Sequence, residues 1–479
     1  MDKNKKRKII KRVVLTVLIA VFVLPPVAVF AYWMLNGSPN ISVSTVERQR
    51  TLPDKFFAAT EHLEGFATDA LYMVQMIERI HPIFIVEGWL PDEYETVRDE
   101  FLTYAQNDIS TTEFAFAAHK YMTMLRDGHM SGMLASKLDD GGWAYTLKRN
   151  GYLNEPWTAR DGRLFLTDER RGLKNAEVTA IGGIPTAQVF GVIDTYYYAE
   201  NEIARQQNYI IFTQFIDVIE KAGGVISDNK VLLTLNQNSE LTTLESDIVM
   251  PYVLNRDSWP DYIIQYEMFG DVFYIDLLTF MDGEHIKEAS KAIKKAIAGG
   301  TRKFIIDLRD NGGGNSIVGN KLLEAMGIKV PSYGAVHNIT EAAVKQGSIW
   351  FLRPFYWLGF NTMRIEPTIA KNLNPNDVFV SVLTNADTYS SARQMAVWVQ
   401  DGGFGNIIGS PSRNAPNAFG NMIQFSLPYS EIAFNISSTQ WIRPDSNADP
   451  EVLWPDIMVN DEDALSIALE YLSRLGEYD

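Results

Sequence analysis

Hydrophobic positions change their period along this chain, and the changes divide it. Residues 13–35, VVLTVLIAVFVLPPVAVFAYWML, form an uncharged apolar run of 23 residues, long enough to cross a bilayer as a helix. Residues 36–55 turn polar, with Gly37, Pro39 and several Ser and Thr, and suit a short linker. Ala70, Met73, Val74, Ile77 and Ile80 then recur at helical spacing, and the helix is expected to stop at His81-Pro82. A second amphipathic stretch runs from about residue 112 through Leu125 into Arg126-Asp127-Gly128-His129-Met130, with Gly128 expected to end the helix.

From residue 143 to about 253 the pattern shortens to strand-like runs at 163–167, 176–183 and 231–235. After residue 261 strands alternate with helices. Strands are expected at 272–276, 304–308, 378–383 and 406–409, with helices around 286–297, 317–326 and 390–399. Gly299-Gly300 and Gly402-Gly403 close two of these helices. Repeated βα units imply right-handed crossovers and a sheet largely covered by helices. The expected architecture is therefore mixed, α/β in its core and α+β overall. It comprises a tail (1–12), a transmembrane anchor (13–35), a linker (36–55), a helical domain (56–142), a β-rich segment (143–255) and a βα core with a mostly parallel sheet (256–479).

Composition narrows the classes. With 479 residues and 46% hydrophobic content, the chain can bury two or three domain cores. The formal charge is −16, yet residues 1–12 hold seven Lys or Arg and one Asp, so the remainder carries 36 basic against 58 acidic residues, or −22. Nucleic-acid binding is excluded on that balance. The basic tail before the apolar run places the N-terminus in the cytoplasm and the body outside. Pro25-Pro26 would kink the helix, and Val29-Phe30-Ala31 fits a signal-peptidase site. A retained anchor is expected over cleaved secretion, because the run exceeds the usual apolar core of a signal peptide. There is no cysteine, which removes disulfides, thiolate metal sites, a cysteine nucleophile and a lipidated N-terminal cysteine.

Chemistry concentrates at two strand ends. Residues 304–316, FIIDLRDNGGGNS, read as a buried strand running into three glycines, where backbone N–H groups can approach a ligand oxygen. Asn315-Ser316-Ile317 follows in place of Gly-Lys-Ser/Thr, so a P-loop is not indicated. The second strand turns into a helix near Ser390, in Thr388-Tyr389-Ser390-Ser391-Ala392. A serine there can be a simple cap. With a glycine loop beside it, the same serine has the setting of an acyl-transfer nucleophile.

FYIDLLTF, KFIIDLRDNGGGNS, VSVLTNADTYSSARQM and Trp454-Pro455-Asp456-Ile457 resemble, in that order, the core of the serine peptidase family that contains the C-terminal-processing (tail-specific) proteases and the tricorn core protease. His81-Pro82 and Arg126-Asp127-Gly128-His129 look like the helical domain of its tricorn-like branch, and the similarity extends over most of residues 60–475. The resemblance implies a crotonase/ClpP-like core. Where tail-specific proteases carry a catalytic lysine, this chain has Ala415, and no lysine follows Lys371. A histidine base or an inactive protein remains.

The resemblance names His129 as the base, Ser390 rather than Ser391 as the nucleophile, and an oxyanion hole from Gly312 or Gly313 with the Ser391 N–H. The family's orienting glutamate falls at Asp449, one methylene shorter, with Glu451 and Asp445 as alternatives. Arg393 replaces a customary acid, and residues 177–185 look like the closing strand and turn of a PDZ-like module, with no carboxylate-binding loop evident before them. The expected protein is a membrane-anchored extracytoplasmic serine peptidase acting on peptides or proteins through a Ser-His-acid site, without metal or organic cofactor. The alternatives are a non-catalytic peptide- or ligand-binding protein on the same fold, and an esterase.

Overall fold

The computed structural model describes residues 41–50, 63–130, 134–137, 143–148, 151–169, 171–249, 263–347, 349–369 and 374–475. The basic tail and apolar run, 1–35, lie outside the described residues. Among those described, no helix is long and apolar enough to cross a membrane.

The C-terminal half is built on a six-stranded sheet ordered Ile264–Phe269, Val272–Leu277, Lys303–Asp307, Phe379–Thr384, Gly405–Gly409, Ile457–Met458. Its first pair is antiparallel and every later pair parallel. Alternation decides the layers. Phe304 and Ile306 pack with Ile286, Ile293, Leu322 and Met395 of the helices Glu284–Ala298, Ile317–Ala325 and Ser391–Asp401. Ile305 points the other way, to Ala464, Ala468 and Leu472 of the closing helix Ala464–Arg474. All three strand residues are wholly buried, which is why this strand reads as an unbroken apolar run. Truncating Ile305 or Ile306 to alanine would cost about 2–5 kcal/mol. The βα units expected from the sequence are present, and the glycine loop and Ser390 both sit beyond the carboxyl ends of neighbouring parallel strands.

An antiparallel seven-stranded sheet runs Ile41–Ser44, Thr362–Ile365, Gly334–Asn338, Ala433–Ile442, Ala135–Lys137, Trp143–Tyr145, with Ala418–Ser426 also on Ala433–Ile442. Its first strand lies within the segment expected as a linker. Helices Phe66–Ile80, Tyr94–Tyr104 and Thr111–Thr123 share one core with this sheet and with the middle segment. The third helix opens on a capping box, Ser110 with Glu113.

The middle segment holds an eight-stranded antiparallel sheet, but also helices Thr186–Tyr196, Glu202–Phe212 and Ile216–Lys221. The segment expected to be β-rich thus carries helices beside its sheet. Val189, Phe190 and Ile193 are buried on the first of these helices, an apolar stripe too short to stand out between strands. The stretch 177–185 is the strand Glu177–Ile181 turning through Gly182-Gly183 into Ile184–Pro185.

Gly128 does not end a helix. The chain leaves Thr111–Thr123 through a turn and reverses at Arg126, whose φ is 51°. Gly128 has a different reason to be glycine: a Cβ there would lie 2.7 Å from Glu200 Oε1 and 2.8 Å from the Tyr389 hydroxyl.

Candidate active site

Two loops at adjacent strand ends are stitched together around Ser390. Thr388 Oγ1 donates to Leu308 O (2.8 Å), Tyr389 N–H to Asn311 O (2.9 Å), and Asn385 Nδ2 to Asp310 Oδ1 (2.7 Å). Ser390 stands at the head of the helix Ser391–Asp401 with φ 52° and ψ −118°, a conformation costing a non-glycine residue about 1–3 kcal/mol. The surroundings hold it there, since its N–H donates to Asn414 Oδ1 at 2.8 Å.

The two serines have different fates. Ser391 is buried and its hydroxyl donates to Gly314 O at 2.8 Å. Ser390 is partly exposed, and its hydroxyl has no hydrogen-bond partner among the described residues.

The backbone donors also divide. Gly313 N–H is taken by Asn311 Oδ1 at 2.8 Å, whereas the N–H groups of Gly312 and Ser391 have no acceptor among the described residues. Gly313, at φ 93°, lies so close that a Cβ would meet Ser391 N and Tyr389 O at 2.7 Å. Glycine at 313 therefore leaves the Ser391 N–H open. Two donors without acceptors, on the two loops that meet at the partly exposed Ser390, make a setting for a developing oxyanion.

The imidazole side is built differently. Asp127 is fully buried; its Oδ1 accepts the His129 N–H at 2.8 Å and its Oδ2 faces His81 Nε2 at 3.1 Å. His81 Nδ1 accepts the Ile83 N–H, so the His81 proton resides on Nε2 and is donated to Asp127. The His129 ring lies 4.9 Å from the ring of Tyr389, the residue before Ser390. Its buried Nδ1 is 3.8 Å from Asp127 Oδ1, with no hydrogen-bond partner. Burial lowers the His129 pKa below the ordinary imidazole value; Asp127 opposes this, while Arg393 and Arg413 reinforce it. Burial also works to raise Asp127, but the hydrogen bond and charge of His81, with His129, hold it below the usual carboxylate range.

Glu200 joins the two sides. Its Oε1 accepts Gly128 N–H at 3.1 Å, and its Oε2 accepts Asn414 Nδ2 and Ala415 N–H, each at 2.7 Å. Asn414 in turn holds the Ser390 N–H. Burial pushes the Glu200 carboxyl up to about 7 against the pull of those donors, with Asp127 adding to the rise.

Residues 271–459 match the family model of peptidase family S41. This match assigns residues 271–459 to a family of serine peptidases. The S41 match includes the glycine loop, Ser390 and the loops at 410–416 and 449–456; His129 and Glu200 lie outside it. No curated protein matches the chain. Among solved structures it is similar to mature CPAF, at 14% identity over 86% of this chain and 96% of that one, with a TM-score of 0.57. It is also similar to mature CPAF complexed with lactacystin, at 13% identity over 86% and 97% of the two chains, with a TM-score of 0.57. At these identities the likeness is one of fold.

The S41 core places Asp449 on an exposed loop. Its carboxylate accepts Glu451 N–H (2.8 Å), Val452 N–H (3.1 Å) and Trp454 Nε1–H (3.0 Å). Three donors from its own loop thus occupy the group expected to orient the imidazole, and the carboxylates drawn up beside His129 are Asp127 and Glu200. Glu451 reaches the site's edge through its carbonyl, which accepts Asn201 Nδ2–H at 2.9 Å. Asp445 Oδ1 accepts from Asn447. Arg393 bonds Asn414 Oδ1, Tyr333 Oη and Pro416 O, bracing the loop that holds Ser390.

Asp127, His129 and Glu200 each offer a ligand atom within 4.8 Å of the others. Their carboxylate oxygens already accept N–H donors, so a metal ion would compete with the bonds that build the site. Glu200, Asn414 and the His81–Asp127 pair do not stand out in the amino-acid sequence. Only the last has a local signal, in the Asp-Gly-His spelling itself.

Proposed function

We propose that this S41 peptidase works through Ser390 and His129 in the manner of the tricorn-like branch, anchored in the cytoplasmic membrane by residues 13–35 with its body outside. The observation that carries the site assignment is the contrast between the two serines: one hydroxyl committed to Gly314 O, the other free on a strained turn between two unpaired N–H groups. In this reading Ser390 Oγ attacks the peptide carbonyl while neutral His129 takes its proton. The carbonyl oxygen becomes an oxyanion held by the N–H groups of Ser391 and Gly312, with Gly313 shaping the turn. Collapse breaks the C–N bond as His129 returns the proton to the leaving amine, and water, activated by the same imidazole, hydrolyses the acyl-enzyme.

The orienting acid has two candidates. The resemblance favours Asp449; proximity favours Asp127, which a slight imidazole rotation would bring into hydrogen-bond range of His129 Nδ1 from 3.8 Å. Asp127 is itself pinned by His81.

The unpaired His129 Nδ1 and the turned-away Asp449 also suit a non-catalytic binding protein. Labelling of the full chain with a fluorophosphonate probe separates the readings. We expect wild type and Ser391→Ala to label, and folded Ser390→Ala and His129→Ala not to. A folded wild type that fails to label would place the binding reading first. Turnover of small esters without peptide cleavage would indicate an esterase.

A further inference from the structure

Residues 349–360 read IWFLRPFYWLGF, with six aromatic residues and one charge, Arg353. They fold as a 3-10 turn, Trp350–Leu352, leading into a short helix, Arg353–Trp357. Leu352 is buried beneath, while Trp350 and Trp357 are each 66% exposed and Leu358 73%. Single exposed apolar residues need no explanation, but two indoles and a leucine within nine positions form a patch.

The chain that would emerge from the membrane is strapped to the next few residues. Asn361 exchanges side-chain hydrogen bonds with the Val46 backbone (2.9 and 2.8 Å), Thr45 Oγ1 donates to Gly359 O (3.2 Å), and Ile41–Ser44 pairs with Thr362–Ile365. Ile41 follows the last residue of the apolar run, Leu35, by six positions. Even fully extended, that interval reaches only about 20 Å. The strap then spans about 10 Å from Ile41 to the foot of the aromatic segment.

We propose that the face bearing Trp350, Trp357 and Leu358 docks on the lipid bilayer, seating its indoles at the headgroup–acyl boundary. The inference rests on the membrane-anchor reading. Indoles favour that boundary because the ring has an apolar body and one N–H to hydrate. Arg353 Nη2 donates to Val344 O at 3.3 Å, and the other N–H groups of its guanidinium can meet a lipid phosphate. Charge does not drive the contact: everything beyond residue 12 carries −22, and the neighbouring groups Glu341, Lys345, Arg364 and Glu366 include two of each sign, in the pairs Lys345–Glu341 and Arg364–Glu366. Docking should therefore occur on zwitterionic lipid and resist salt.

The absence of cysteine makes the test direct. Leu358→Cys keeps both indoles, and Leu241→Cys, at a position 72% exposed on the middle sheet, serves as reference. Each full-length variant is labelled with bimane, reconstituted into phosphatidylcholine vesicles and challenged with aqueous iodide or with doxyl-labelled lipid. We expect the label at 358 to be quenched severalfold more by the lipid probe than the label at 241, and to be shielded from iodide at high salt. Trp350→Ala with Trp357→Ala in the Leu358→Cys background should restore iodide access. If the protein floats with vesicles yet both labels respond alike to iodide, the docking face is refuted and the anchor stands. If the protein does not float, anchor and docking face fail together.

Discussion

The two halves of the site hold their working atoms by opposite means. Around Ser390 the main chain does most of the holding: a strained turn, a glycine loop and N–H groups fixed by neighbouring strand ends. Around His129 the holding is done by ionisable side chains, Asp127 backed by His81 and Glu200 spanning from the middle segment. The first half should respond to changes of shape and be nearly indifferent to pH. The second should respond to charge.

The largest effects belong to the main-chain half. Ser390→Ala should lower peptide hydrolysis by roughly a thousandfold or more, and Gly313→Ala, which drives a methyl group against Ser391 N and Tyr389 O, should cost about a hundredfold in kcat with KM little changed. A Gly313→Ala enzyme of normal kcat would remove the main-chain oxyanion hole from the comparison. Next comes the orienting acid. Asp127→Asn is expected to reduce kcat by about a hundredfold or more, and Asp449→Asn by less than tenfold, because Asp449 only fastens its own loop. The reverse ranking would return the acid to Asp449.

Glu200 sharpens the charge side. Its carboxyl is raised from 4.5 to about 7 in the folded state, so between those values the unfolded chain has lost a proton that the native chain keeps. Its contribution to stability is complete below about pH 4.5 and is lost as pH rises through about 7. Glu200→Gln should flatten this fall in thermal midpoint between pH 5 and 8, leaving wild type relatively less stable at the upper end; parallel curves would show that Glu200 does not titrate in this window. The smallest effect is expected for Ser391→Ala, which removes one hydrogen bond to Gly314 O, worth about 0.5–1.5 kcal/mol, and should leave activity within tenfold.

The same division explains how much of the molecule is legible in its sequence. Strand periodicity, paired glycines and the motif around Ser390 are local signals, and they suffice to locate the core strands, their helices and the loop that bears Ser390. His129 is visible because Asp-Gly-His is contiguous. Glu200 is not, because the residue that makes it meaningful, Asn414, lies 214 positions away. Gly128 looks like a helix stop because glycine so often is one; only packing shows that it makes room for Glu200 and Tyr389. The strand Ile41–Ser44 is hidden in a polar stretch because its partner, Thr362–Ile365, supplies the pairing it cannot signal alone.

That strand carries a mechanical consequence. Any tug on the residues preceding Ile41 reaches the body first through four antiparallel pairs, Ile41 with Ile365 to Ser44 with Thr362, followed by the Asn361 clasp on Val46. Loaded along the strand, these bonds share the force and must break nearly together. Under the anchor proposed for residues 13–35, the strap is thus the fuse of the molecule, setting how hard that tether can be pulled before the outermost strand shears from its sheet and the body swings free on a longer leash.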